Sequence, residues 1–298
     1  MSPAWESTLK TLGELRLDEP MARHTTLGVG GAARWYFRPV NRLAMADAMR
    51  VIPADIRLLP MGRGSNMLVV DSGFNGVVID LGELKYLHEK GNSMQAEAGV
   101  RMGKLANRCA ELGLTGLEFM ATVPGDVGGG IAMNAGAFGQ QVSDTLSSIE
   151  IAYRDGRCEK IEAKDLAMDY RRAALPAGSL VLAACFKLQP DEPQAIRDRM
   201  LEMRSRRSRS QPLAKPNCGS VFKNPPQDHA ARLIEQAGLK GCEIGQARIS
   251  DMHANFIVNE GGATSSDVIK LIRRAQDEVQ TKFGVHLEPE VRIIGETP

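Results

Sequence analysis

The chain has 298 residues, 43% hydrophobic and 24% charged, with 37 Lys+Arg against 36 Asp+Glu and a net charge of +1. That length can bury a core without disulfide or metal staples, and the composition excludes collagen, coiled coil and long disorder. The charge balance argues against nucleic-acid binding through a broad basic surface, while leaving room for a local basic pocket. No run supplies the roughly 20 apolar residues of a membrane-spanning helix. The N-terminus carries Glu6 and lacks an apolar signal core, so a cytoplasmic location with no membrane partner is expected. Cys109, Cys158, Cys185, Cys218 and Cys242 are scattered and form no CxxC pair, and the histidines show neither HxxxH nor HExxH spacing. Reduced thiols and no bound metal are the expectation.

Short strands and helices alternate along most of the chain. Leu43–Ile52 reads as a helix, and Met67–Val70 and Gly76–Leu81 as short strands. Met102, Leu105, Ala106, Cys109 and Leu112 share a helical face that Gly113 terminates. Ile149–Tyr153 and Cys158–Ala163 flank Asp155-Gly156, a hairpin turn. Leu180–Leu188 reads as a buried strand. Pro190 and Pro193 then bracket an acidic pair, Asp191-Glu192, ahead of an Arg-rich helix from Gln194 to Ser208. The main boundary is expected here, giving domains 1–190 and 191–298, with lobes of about 20–85 and 86–190 in the first. In the second, Ala230, Leu233, Ile234 and Ala237 form one apolar helical face ended by Gly238. Thr264-Ser265-Ser266-Asp267 resembles a capping box opening a helix whose apolar face is Val268, Ile269, Leu271, Ile272, Ala275 and Val279. Strands Asn255–Val258 and Val291–Ile294 complete an α/β lobe.

Two glycine-rich loops and a third polar loop carry the chemistry. The first runs Gly62-Arg63-Gly64-Ser65-Asn66-Met67. Its glycines allow close backbone approach, and successive N–H groups in such a turn can form an anion nest. It is neither a P-loop nor a Rossmann fingerprint, because GxxxxGK[ST] and the third glycine are missing. The second runs Val123-Pro124-Gly125-Asp126-Val127-Gly128-Gly129-Gly130 and continues through Ala132 to Gly136 and Ala137. Its small residues suit a flat or phosphorylated ligand pressed against backbone. The third, Gly219-Ser220-Val221-Phe222-Lys223-Asn224-Pro225, offers a hydroxyl with Lys and Asn close behind, but Phe222 occupies the last Gly position of the GxSxG hydrolase elbow. The three together point to a nucleotide cofactor.

These segments, in this order, resemble the UDP-N-acetylenolpyruvoylglucosamine reductase (MurB) family. The resemblance runs from His24-Thr25-Thr26-Leu27-Gly28 to Glu290-Val291-Arg292-Ile293-Ile294-Gly295, nearly the whole chain. The first glycine loop is shared with a wider class of flavin oxidoreductases. The Gly219–Pro225 loop and the terminal Glu290-Val291-Arg292 element are far more specific. The resemblance implies an α+β fold: a two-lobed FAD-binding domain of the PCMH/vanillyl-alcohol-oxidase type, then a C-terminal α/β substrate-binding domain. The short linker suggests the compact type without an extra insertion over the substrate. Noncovalent FAD, NADPH as reductant and an enolpyruvyl ether of a UDP-sugar as substrate follow from the same resemblance. The protein is expected to be a monomer with small-molecule partners.

By that resemblance Ser220 donates the proton, Arg171 stabilises the enolate and Glu290 is the catalytic glutamate. After Tyr170-Arg171 this chain continues Arg172-Ala173-Ala174, where the family commonly shows a serine and an aromatic, so Arg172 competes with Arg171 for the role. An ionised Glu290 beside a dianionic enolate would be repelled, so it is expected to be protonated in the complex or to orient Arg171 or a water. Lys223 and Asn224 are expected to contact substrate. Arg292 is expected to approach the flavin, with Gly62, Arg63, Gly64, Ser65, Asn66, Met67, Val123, Pro124, Gly125, Gly128, Gly129, Ala132, Gly136 and Ala137 lining it. Most of the Arg cluster on the 194–208 helix reads as a solvated face, while Arg209 at its end suits a substrate diphosphate or the NADPH phosphates. Two rivals remain open: another flavin oxidase of the same cofactor fold, and a non-catalytic nucleotide-binding protein.

Overall fold

The computed structural model describes residues 3–296. By compactness the chain forms two units. The first holds the residues up to Leu17, Trp35–Arg63 and Gly76–Arg206; the second holds Asp18–Arg34, Gly64–Asn75 and the residues from Arg207 on. The helices in chain order are α1 (Ala4–Leu12), α2 (Arg42–Val51), α3 (Met102–Glu111), α4 (Val127–Ala132), α5 (Pro193–Ser210), α6 (Ala230–Gln236) and α7 (Ser265–Phe283).

The first unit is built on two sheets. One has the order Gly13–Pro20, Ala32–Pro39, Phe74–Asp80, Leu58–Met61, and its last two strands run parallel. The other is a five-stranded antiparallel sheet, ordered Cys158–Glu162, Leu146–Ala152, Leu180–Lys187, Ser93–Glu97, Leu87–Lys90. The expected hairpin is there: Ala152 faces Cys158, and Gly156 takes φ 78 in the turn. α2 is capped by Asn41, whose side chain accepts the Ala44 N–H at 2.9 Å. The apolar face of α3 packs into a core with Ile149, Val181 and Phe186, the last fully buried. A second core joins Leu9, Trp35, Phe37, Met45 and Val77 beneath α1 and α2.

The boundary expected at 190 separates the Arg-rich helix from what precedes it, whereas the compact first unit runs on to Arg206. The physical cause is a buried carboxylate paired with a half-exposed arginine of α5. The Glu118 carboxylate, 3% exposed, accepts from Thr115 Oγ1 at 2.6 Å, Gly116 N–H at 2.7 Å and Arg199 Nη2 at 2.8 Å. Arg199 also donates to Asp191 at 2.6 Å, and Ile196 and Met200 bury beside it.

The second unit is an α/β assembly of α6, α7 and the antiparallel strands Glu243–Ile244, Ala247–Ile249 and Ile257–Asn259. Strand Met67–Val69 joins it by pairing in parallel with Arg292–Ile294. The Thr264 capping box is formed, with Thr264 Oγ1 accepting from Asp267 N–H at 3.1 Å and Asp267 accepting from Thr264 N–H at 3.0 Å. Asp71 adds a cap that sequence patterning does not signal. Its carboxylate accepts the Ser265 and Ser266 N–H groups at 2.8 and 3.1 Å, while its own N–H donates to Ser265 Oγ at 2.7 Å. The strand expected from Asn255 starts two residues later, at Ile257, because Asn255 and Phe256 close a turn on Ser250 and His253. Among the described residues no helix is long and apolar enough to cross a membrane, and no group of three or more His, Cys, Asp or Glu could hold a metal ion.

Two outcomes follow. Burial pushes the Glu118 carboxyl up, but its bonds to Thr115, Gly116 and Arg199 outweigh that and hold it below the usual glutamate range. Its stabilisation is therefore present above the unfolded-state glutamate pKa and is lost as pH falls through the native value. Glu118→Ala should cost about 2–3 kcal/mol in urea unfolding at pH 7, with the gap to the native protein narrowing on acidification. Asp71→Ala should cost about 1 kcal/mol and speed amide hydrogen exchange in the first turn of α7.

Candidate active site

In the first unit, strand Leu58–Met61 delivers Gly62 and Arg63 to the loop that precedes α4. A β-carbon at Gly62 would lie 2.7 Å from Asp126 Oδ2, so glycine here lets the two segments meet without displacing the Asp126 side chain. α4 is pressed inward in the same way. Added β-carbons would meet the Ala98 β-carbon at 2.9 Å from Gly128 and Met102 Sδ at 2.7 Å from Gly130. The N–H groups of Val127 and Gly128 go to the carbonyls of Val100 and Ala98, at 2.9 Å each. No acceptor among the described residues meets the N–H groups of Gly125, Asp126 or Gly129. Gly129 is exposed and has nothing within 4 Å of its β-carbon position. The result is an open strip of backbone donors with Arg63 exposed beside it, which fits the anionic part of a nucleotide cofactor. Val123 and Ala132, at the two ends of this segment, are half-buried.

The chain then turns through Gly136–Ala137 and back along Gln140–Gln141. Arg171 sits at the tip of a second small hairpin, Met168–Asp169 with Arg172–Ala173, in the left-handed region at φ 57. Its Nη2 donates to the Gly136 carbonyl at 2.9 Å, and its guanidinium lies 4.9 Å from the Tyr170 ring centroid. A β-carbon at Gly136 would stand 3.2 Å from Arg171 Nη1, so this glycine makes room for the guanidinium. Arg172 is exposed on the strand. Asn134, fully buried, ties the hairpins together. It donates to the Asp169 carbonyl at 3.1 Å and Gln141 Oε1 at 3.2 Å, and accepts the Ser143 N–H at 3.0 Å.

The second unit gathers three stretches of chain. Arg292 N–H donates to the Asn66 carbonyl at 3.0 Å, and Asn66 Nδ2 donates to the Glu290 carbonyl at 3.0 Å. Glu290 N–H donates to the Val221 carbonyl at 2.8 Å, so Glu290 and Ser220 sit on adjoining backbone. Ser65 O lies 3.8 Å from the β-carbon position of Gly219, which takes φ 76. Asn255, 4% exposed, clamps the hydroxyl loop from below: its side chain accepts the Phe222 N–H at 2.9 Å and donates to the Phe222 carbonyl at 2.8 Å. Its own carbonyl accepts the Val221 N–H at 2.9 Å. The Ser220 hydroxyl is half-buried, with no hydrogen-bond partner among the described residues.

Ser220, Glu290, Arg292 and the Gly64–Met67 segment are thus brought together in the second unit. Gly62, Arg63, the 123–137 residues and Arg171 belong to the first. Lys223 already pairs with Glu288 at 2.5 Å. Asn224 Oδ1 accepts the Ala230 N–H at 3.1 Å, holding the start of α6. Arg209 is exposed near the end of α5. Asp126, Asn134 and Asn255 are the residues that sequence patterning missed as site-builders. An Asn or Asp inside a small-residue loop was the only signal available for the first two, and Asn255 gave none.

The sequence is similar to known reductases over its whole length. A profile of the UDP-N-acetylenolpyruvoylglucosamine reductase C-terminal domain matches residues 211–294, and one of an FAD binding domain matches residues 33–162. The UDP-N-acetylenolpyruvoylglucosamine reductase of Alkalilimnicola ehrlichii is 45% identical over 285 residues, 95% of this chain and 96% of the relative. That of Bacillus subtilis is 39% identical over 290 residues, 96% of each. The crystal structure of the MurB enzyme from Thermus caldophilus superposes with a TM-score of 0.82 at 35% identity, covering 95% of this chain and 99% of that one. The BBE-like 1 protein of Physcomitrella patens, at 16% identity and a TM-score of 0.50 over 63% of this chain and 45% of that one, shares the fold alone. With near-complete coverage at this identity, the chain belongs to the UDP-N-acetylenolpyruvoylglucosamine reductase (MurB) family of FAD-dependent oxidoreductases.

Proposed function

We propose that this protein reduces the enolpyruvyl ether of UDP-N-acetylglucosamine to UDP-N-acetylmuramate, with NADPH as reductant and Ser220 as proton donor. The observation that carries this reading is the hydrogen bond from Glu290 N–H to the Val221 carbonyl, 2.8 Å long, which holds a carboxyl-bearing residue beside the one carrying an unengaged hydroxyl. Bound FAD would supply hydride to the terminal carbon of the enolpyruvyl group, after accepting it from NADPH.

The chain's own groups do the rest. The open backbone of Gly125, Gly128 and Gly129, with Gly62 and Arg63, would hold the FAD diphosphate. Val123, Pro124, Ala132, Gly136 and Ala137 would line the same cofactor, as would Gly64, Ser65, Asn66, Met67 and Arg292. All of these but Arg292 fall within the FAD-binding profile on residues 33–162. Residues 191–298 would bind the nucleotide sugar, in line with the C-terminal profile. Charge that develops next to the substrate carboxylate needs a fixed cation. Arg171 is suited to it, because a guanidinium is always charged and matches a carboxylate with two parallel donors. Its bond to the Gly136 carbonyl holds the guanidinium in place at the tip of the hairpin. Arg172, exposed on its strand, has no such anchor. Ser220 Oγ–H would then protonate the carbanionic carbon. Glu290 acts as a protonated carboxyl or orients a neighbouring donor, since an anion there would oppose the charge that builds up. Lys223 and Asn224 flank the same loop, and Lys223 would exchange its exposed partner Glu288 for the substrate. Arg209 would meet a nucleotide diphosphate.

Separate half-reactions test this. NADPH should bleach the bound flavin of the Ser220→Ala protein at the native rate. Reoxidation by the enolpyruvyl nucleotide should slow by at least about 10²-fold. A native rate of reoxidation would remove Ser220 as donor. Bleaching followed by reoxidation with oxygen alone, and no response to the nucleotide, would favour a flavin oxidase. Arg171→Lys should lower kcat by about 10²–10³-fold, whereas Arg172→Lys should change it less than about twofold. The reverse order would transfer the role to Arg172.

A further inference from the structure

Asp126 stands out among the titratable groups for which the proposed reaction gives no role. Only 6% exposed, it has no hydrogen bond to its carboxylate among the described residues. It occupies the position before α4, yet its side chain caps no N–H there. The carboxylate points at Gly62 instead, where a β-carbon would lie 2.7 Å from Oδ2. An acid is thus buried between the two glycine segments that would carry a diphosphate. Desolvation of an unpartnered carboxylate is costly, and a nearby phosphate anion would add like-charge repulsion.

The groups around it give the electrostatic balance. Arg63 follows Gly62, Arg101 is the backbone partner of Asp126 in an isolated β-bridge, and Lys85 acts most weakly of the three; all favour the anion. Asp80 opposes it. Burial outweighs the cations and pushes the Asp126 carboxyl up to about 6. A bound diphosphate would engage Arg63 and displace the value further upward.

We propose that Asp126 is a proton-linked determinant of cofactor retention, its carboxylate taking up one proton from solvent when the flavin dinucleotide occupies the glycine cradle. One O–H bond forms and no other bond changes. The neutral acid then donates a hydrogen bond to a phosphate oxygen in place of repelling it. This rests on the assignment of the FAD diphosphate to the Gly62 and Gly125–Gly129 segments. The sign follows from linkage. A complex that holds one more proton than the free protein loses affinity as pH rises above the free-protein value, and its affinity is flat below that value.

The test is FAD release from the flavin-loaded, full-length protein on dilution between pH 6 and 9, followed by flavin fluorescence. In the native protein the FAD dissociation constant should rise about tenfold or more from pH 6 to pH 8. In Asp126→Asn it should stay within about twofold over that range and lie below the native value at pH 8. Asp126→Ser, also neutral, should reproduce the flat profile and serves where the Asn protein folds poorly. A flat native profile, or a slope that persists in both neutral variants, overturns the proposal. Gly129→Val separates this from failure of the cradle itself. If Gly129→Val retains FAD as tightly as the native protein, the diphosphate lies elsewhere and both readings fall. If it sheds FAD while Asp126→Asn keeps the native slope, only the proton linkage falls.

Discussion

The carbonyl of Val221 is the acceptor on which the proposed chemistry of the second unit depends. It takes N–H bonds from both Glu290 and Val291, at 2.8 and 3.2 Å, while the Val221 N–H is held by the Asn255 carbonyl. Asn255 then closes two more bonds on Phe222 with its side chain. A loop that carries a glycine at φ 76 and a half-buried serine would otherwise be free to move. Fixed on both sides, it presents the serine hydroxyl at a constant distance from the Glu290 backbone. The proposed proton transfer from Ser220 to carbon would need that constancy, because a hydroxyl is a weak acid and gains its effect from placement.

The first unit solves a different problem. It must offer many backbone donors in one place without collapsing on itself. Glycines at 62, 128 and 130 achieve the packing, each where a β-carbon would collide with a neighbour, and Gly129 provides the opening. Arg171 is held at φ 57, at a backbone cost on the order of 1 kcal/mol, which the bond to Gly136 and the stacking on Tyr170 help to offset. A buried asparagine supports the hairpin from behind, so the guanidinium has the fixed placement that the proposed charge stabilisation would need.

Local patterns were legible in the sequence where local physics decides. The Thr264 capping box, the Asp155-Gly156 hairpin and the apolar face of α3 all formed where the pattern placed them. Long-range exchanges were not. Residues 18–34 and 64–75 belong with the C-terminal part of the chain. Nothing in the short apolar run Met67–Val69 says that its partner is Arg292–Ile294. The same holds for Arg199, which reads as one more surface arginine until Glu118 is seen beneath it. At the site, residue types and motif order named Ser220, Arg171 and Glu290 through family resemblance. What favours Arg171 over Arg172 in the proposed role is the hairpin geometry, with Arg171 anchored on the Gly136 carbonyl and Arg172 exposed. Asp126 was hidden because a carboxylate in a glycine loop looks like a solvated turn residue, and only burial shows otherwise.

In the proposed reaction a hydroxyl, a guanidinium and a carboxyl from distant parts of the chain act on one enolpyruvyl group. The most direct measurement is a crystal structure of the flavin-loaded protein with the enolpyruvyl nucleotide bound. Ser220 Oγ should lie within about 3.5 Å of the carbon that bears the carboxylate, with the Arg171 guanidinium on that carboxylate and Glu290 alongside. A nucleotide seated with its enolpyruvyl group away from Ser220, or an Arg171 side chain directed elsewhere, would contradict it.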